Sequence, residues 1–123
     1  MSSNVIKNND EVIAYKGKNL LKRIPTKKNR KQVENALEYS IKMHKGQVRK
    51  SGLPFVSHCI DVANILIDWN MDHTTIVSAL LHDVVEDTEV KLSDIEEEFG
   101  SDVAILVDGV TKVENIAFRS KEH

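Results

Sequence analysis

A chain of 123 residues with 41% hydrophobic side chains has enough apolar material for one small domain with a single core. Seventeen Lys and Arg against 19 Asp and Glu leave a formal net charge of -2, so the overall balance points to neither nucleic acid nor membrane as a partner. The single cysteine, Cys59, excludes an internal disulfide and suits a reducing compartment; no apolar run reaches the roughly 18 residues that span a bilayer, no signal-peptide core opens the chain, and a cytoplasmic location is expected.

Residues 1 to 28 are polar and weakly patterned, and Lys and Arg crowd the stretch from Lys16 to Lys31. Without interleaved aromatics this reads as a flexible, solvated basic arm rather than a nucleic-acid patch. The folded domain is expected over 29–123. From Asn29 the apolar period is helical: Val33, Ala36, Leu37, Ser40, Ile41 and His44 fall on one stripe, and Gly46 supplies the stop. The segment from Gln47 to Ser57, with Gly52 and Pro54, reads as a loop. A second helix is expected to open at His58, with Val62, Ala63, Ile65, Leu66 and Trp69 on one face. Asp72 can cap a third running to about Asp87. Ser93 followed by Glu96 has the spacing of a capping box for a short fourth helix that Gly100 ends, and Ser101 can cap a fifth carrying Val103, Ile105, Leu106, Val107 and Val110. With no sustained strand alternation, the expected fold is an all-α bundle.

The third helix carries the sharpest chemical feature, His82-Asp83-Val84-Val85-Glu86-Asp87. At about 100° per residue, His82, Glu86, Asp83 and Asp87 share one arc, and Val77, Leu80, Leu81, Val84 and Val85 fill the other side. An imidazole beside three carboxylates on a partly buried face is costly unless a positive partner neutralises it, and a divalent cation is the simplest. Mixed imidazole and carboxylate donors suit Mn²⁺, Fe²⁺ or Zn²⁺ better than Ca²⁺. The bland alternative, a solvated acidic face, fits the same spacing. His58 is the first further ligand candidate, against a plain polar helix start. Asp108, before Gly109, fits a cap or turn as well as a ligand. His44, on an apolar stripe, reads as a buried, satisfied histidine, and His73 as surface. Arg49, Lys50 and Ser51 bring two cations and a hydroxyl near this face, which suits a phosphorylated ligand but equally an exposed basic loop.

Three blocks, His44-Lys-Gly-Gln-Val-Arg-Lys-Ser-Gly-Leu-Pro-Phe-Val-Ser-His58, Ala79-Leu-Leu-His-Asp-Val-Val-Glu-Asp-Thr88 and Val107-Asp-Gly-Val-Thr-Lys112, resemble the hydrolase domain of the RelA/SpoT family, a branch of the HD phosphohydrolase superfamily. The resemblance implies an HD-domain helical bundle that removes the 3′-pyrophosphate of guanosine tetra- and pentaphosphate. It implies His58, His82 and Asp83 as ligands of one Mn²⁺, Glu86 and Asp87 as the acidic pair that positions or activates water, and Arg49, Lys50 and Ser51 as nucleotide contacts. Cys59 stands where the family usually has Pro, Leu53 where Glu is common and Phe55 where Tyr is common; none of these removes a charge that the chemistry needs. The family's fourth metal ligand comes from an Ala-Asp-Arg-Leu-His-Asn-like motif on a later helix, and no such motif precedes His123. A domain incomplete at its C-terminal end is therefore expected. Its uncovered apolar surface would suit pairing with another copy. A catalytically silent binding or folding module, and an HD-type nucleotidase for another substrate, are the alternatives.

Overall fold

The computed structural model describes residues 2–47, 52 and 54–122, and within them the side chains of 9–47, 52 and 54–112. Among the described residues six helices form in chain order: α1 (Ser2–Lys22), α2 (Lys27–Met43), α3 (Phe55–Asp68), α4 (His73–Asp87), α5 (Leu92–Phe99) and α6 (Ser101–Glu122). The all-helical expectation holds among the described residues.

The stretch expected to be a flexible arm is instead a docked helix. Ile13, Gly17, Leu20 and Ile24 recur at helical spacing, and Leu20 is fully buried within the shared core. The lysines around them hide this stripe, and Gly17 interrupts its apolar character. That glycine has a packing reason: a Cβ there would stand 2.9 Å from Leu37 Cδ2, so its absence lets α1 approach α2 closely. Along α3, Lys16 grips Ser57 and Asp61 while Arg23 grips Asn64 and Asp68. Advancing seven residues on one helix matches advancing seven on the other, so α1 and α3 run parallel.

At the centre, α4 packs against α2, α3 and α6 and contributes Ile76, Val77, Leu80 and Leu81 to the core. Val33, Ala36 and Leu37 from α2, Val56, Ile60 and Ala63 from α3, and Val103 and Val107 from α6 close around it. The short α5 seats Ile95 in the same core, and Phe99 meets Tyr39 edge-on at 5.4 Å.

Several element boundaries differ from those expected. Phe55, rather than His58, opens α3, because Pro54 has the extended backbone of an N-cap and the helix begins directly after it. His58 consequently lies inside the first turn. Ser93 does not cap α5; Lys91 flanks it, and the Asp94 carboxylate reaches back to accept from the Lys91 backbone N–H at 2.9 Å. Gly100 does end α5, and α6 starts at once with Ser101. α6 continues through Asp108-Gly109 without a break, so Asp108 is neither cap nor turn.

Candidate metal centre on α4

The site is built on a helix with a firm start. Asp72 caps α4 by accepting from the Thr75 backbone N–H at 2.9 Å and from the Thr75 hydroxyl at 2.7 Å, and these bonds hold its carboxyl below the usual carboxylate range. Ten residues on, the oily side of the helix is buried in the core and the His-Asp pair lies at its margin. His82 is 6% exposed.

The orientation of His82 is set by its own backbone. Its Nδ1–H donates to the Ala79 carbonyl at 2.8 Å, which fixes the orientation of the ring. Nε2 faces Asp83 Oδ1 at 3.0 Å. The second carboxylate oxygen of Asp83 accepts from the Cys59 thiol on α3, at an Sγ–Oδ2 distance of 3.4 Å. Burial pushes the Asp83 carboxyl up, but the hydrogen bond and charge of His82, the Cys59 thiol and the His58 charge outweigh it and hold the group below its ordinary value. Cys59 answers in the opposite direction: burial, and then the Asp83 carboxylate, push its thiol far up, so it stays a neutral donor.

An imidazole nitrogen and a carboxylate oxygen turned toward each other in a nearly dry place need something positive between or beside them: a proton on His82, or a cation. The donor set fits a divalent ion. Neighbouring ligands of a cation with bonds of about 2.1 Å stand roughly 3 Å apart, and a histidine ligand ordinarily donates its other nitrogen to a carbonyl or carboxylate, as His82 does. Two donors do not complete a shell, however. Among the described residues no group of three or more His, Cys, Asp or Glu side chains converges to hold a metal ion. The structure therefore unites His82 and Asp83, and sets His58 near enough for its charge to act on Asp83 without bringing it into a ligating cluster.

The other expected site residues divide in the same way. Glu86 and Asp87 lie exposed at the end of α4, one turn beyond the pair. Arg49, Lys50 and Ser51 lie outside the described residues. Asp108 is engaged within its own helix by Lys112 Nζ at 2.8 Å. His44 is buried as expected but only half satisfied: Nδ1 meets Gln47 Oε1 at 3.2 Å, the ring stacks on Phe55, and Nε2 has no partner among the described residues. His73 is the first residue of α4 and lines a cleft of about 830 Å³ together with Tyr39, Phe99 and Asp102. That cleft is the larger of two described and lies at the opposite end of α4 from the His-Asp pair; the pair itself lines neither.

Two residues near the site escaped the sequence reading. Cys59 entered there as evidence of compartment and as a departure from the family's usual Pro, yet it also donates to Asp83. Gln47 bridges His44 to the Asp87 carbonyl, donating to the latter at 3.4 Å, and so joins the end of α2 to the acidic end of α4. Adjacency to His58 was the only available hint for Cys59, and for Gln47 there was none beyond its place in the first motif block.

A buried histidine followed by a partly buried aspartate stands on the central helix of an all-α bundle, the arrangement in which the His-Asp pair of an HD domain is expected. The chain belongs to that family: the family model described as HD domain matches residues 36–123. Within it, the chain is 46% identical over 88 residues to the GTP pyrophosphokinase of Streptomyces coelicolor, an overlap of 72% of this chain and 10% of that protein. It is 43% identical over 91 residues to the guanosine-3′,5′-bis(diphosphate) 3′-pyrophosphohydrolase of Aquifex aeolicus, covering 74% of this chain and 13% of that one. With the bifunctional (p)ppGpp synthase/hydrolase SpoT of Escherichia coli K12 it shares 47% identity over 79 residues, 64% of this chain and 11% of the other. Among solved structures it is similar to a metazoan ortholog of SpoT that hydrolyzes ppGpp, with a TM-score of 0.59 and 36% identity over 68% of this chain and 47% of that chain. The chain thus spans 10% to 13% of the length of these curated relatives.

Proposed function

We propose that this chain carries the metal centre of a guanosine tetra- and pentaphosphate 3′-pyrophosphohydrolase. The observation that carries the reading is the His82–Asp83 pair: Nε2 and Oδ1 directed at each other at 3.0 Å, with the imidazole's other nitrogen committed to Ala79. His82 and Asp83, joined by His58, would hold a divalent cation, with Mn²⁺ the proposed ion. When bound, that ion acidifies water and offsets charge developing on phosphoryl oxygens. Glu86 and Asp87, on the following turn of α4, would orient the attacking water and take its proton. Arg49, Lys50 and Ser51 would bind the anionic nucleotide, giving its phosphates charge-assisted donors. The products are pyrophosphate and GDP or GTP. A cytoplasmic setting is proposed with it, since the buried Cys59 remains a free thiol.

A second reading, a catalytically silent module, draws on one finding: no three-ligand group stands among the described residues. A third, a nucleotidase for another substrate, has no observation in its favour. Pairing with a second copy belongs to the proposal too. Ile105, Leu106 and Val110 lie exposed along α6, and Ile65, Trp69 and Met71 along the end of α3 and beyond; light scattering across a concentration series would test whether they associate.

The deciding assay is pyrophosphate release from guanosine tetraphosphate, with Mn²⁺ and with a chelator. Mn²⁺-dependent release that Asp83→Ala abolishes is the expected result. Release that persists in Asp83→Ala would overturn the assignment, and no release from a folded, Mn²⁺-supplied chain would favour the silent module.

A further inference from the structure

The first turn of α3, which carries His58, has weak local support. Its N-cap is Pro54, which makes no side-chain cap, and no acidic residue stands in the turn to complement the helix dipole. What touches this turn instead is a cation from another helix. Lys16 of α1 donates from Nζ to the Ser57 hydroxyl at 2.8 Å and to both oxygens of Asp61, at 2.9 and 3.1 Å. Ser57 is buried and directly precedes His58, and Asp61 lies one turn further on. A positive charge near a helix N-terminus is unfavourable to the helix itself. As an ion pair this contact is also half exposed, where such pairs contribute little to stability. Neither helix stabilisation nor surface pairing accounts for the arrangement. Position does: one ammonium ties two side chains that bracket His58 on the same helix.

We infer that Lys16 is a positioning residue for the metal centre, fixing through Ser57 and Asp61 the turn of α3 that presents His58. This rests on the reading of His58 as a ligand, and it brings into the centre's scaffold a helix that precedes the span matched by the HD-domain family, residues 36–123. Groups bonded directly to a metal ligand are ordinarily worth about 10- to 100-fold in metal affinity, and Lys16, which holds the residues around His58 rather than His58 itself, belongs at the lower end.

The same pair of helices supplies its own control. Arg23 joins α1 to Asn64 and Asp68 at the far end of α3. These partners stand six and ten residues beyond His58, roughly 9 and 15 Å along the axis. Lys16→Met and Arg23→Met each remove one tie between α1 and α3, but only the first touches the His58 turn. The experiment records the imidazole carbon–proton resonances of the 123-residue chain, with the His58 signal assigned through His58→Gln. In the metal-free protein, Lys16→Met should shift or split the His58 signal, Arg23→Met should leave it in place, and Lys16→Arg should restore it toward the wild-type position. Adding Mn²⁺ alone should broaden the His58 and His82 signals together in the wild type. In Lys16→Met, matching loss of the His58 signal should require about tenfold more Mn²⁺.

An unmoved His58 signal in Lys16→Met, or an equal shift in Arg23→Met, would overturn the inference and leave Lys16 as a tie between helices. Mn²⁺ that leaves His58 sharp in the wild type would overturn the ligand reading instead, and the metal-free spectra would still decide whether Lys16 holds His58.

Discussion

At the scale of single residues, the reading of the His-Asp pair could go no further than helical spacing allowed. A period of 100° puts His82, Asp83, Glu86 and Asp87 on one arc whatever surrounds them. The acceptor for Nδ1, the donor to Oδ2 and the burial of both side chains depend on the backbone at Ala79 and on Cys59, a helix away. Asp72 is the opposite case, a cap legible from sequence because its partner lies three residues on. Asp72→Ala should cost about 1 kcal/mol of stability near neutral pH, measured by urea unfolding. Thr75 holds the folded carboxyl below its ordinary value, so the cap's contribution is complete above the unfolded value near ~3.9 and fades as pH falls through the lower folded value. The stability gap between wild type and Asp72→Ala should therefore narrow as the pH falls through that lower value. A gap that persists below it would show that the ionised carboxylate is not the source.

At the scale of elements, α1 shows how a stripe is missed. Ile13, Gly17, Leu20 and Ile24 have helical spacing, but a glycine stands in the row and lysines flank it, so composition suggested an arm. Burial of Leu20 in the common core makes α1 structural. Leu20→Ala should destabilise the whole fold by about 2–5 kcal/mol, read as a shifted denaturation midpoint; a change within ~0.5 kcal/mol would return α1 to the status of an arm. Gly100, between α5 and α6, has φ 99° and ψ 164°, a region essentially closed to residues with a Cβ. Open space surrounds it, so Gly100→Ala should cost only its backbone strain, roughly 1–3 kcal/mol, and leave the helix content measured by circular dichroism unchanged.

At the scale of the whole molecule, α4 is central because three helices close on it, and its chemistry lies where its oily and acidic faces meet. A cation held there would couple metal binding to folding. If Mn²⁺ binds the native chain alone, a free concentration one hundredfold above its dissociation constant should add about 2.7 kcal/mol to unfolding stability. Calorimetric unfolding should show a raised midpoint with Mn²⁺, a return to the metal-free value with chelator, and no response in Asp83→Ala. An equal rise in Asp83→Ala would place the ion elsewhere.

The sequence by itself determined the helical class, the amphipathic face of α4, the cap at Asp72, the stop at Gly100 and the candidate His-Asp pair. These depend on local period and on partners within a turn, and a linear pattern records such relations directly. Only the tertiary structure decided that α1 belongs to the core, that Cys59 donates to Asp83, that Asp108 is spent on Lys112, and that Lys16 grips the turn bearing His58. Apart from the Asp108 pair, which needed only the knowledge that α6 runs unbroken, each is a contact between helices distant in sequence. Its geometry follows from how the helices pack, and no single sequence pattern encodes that.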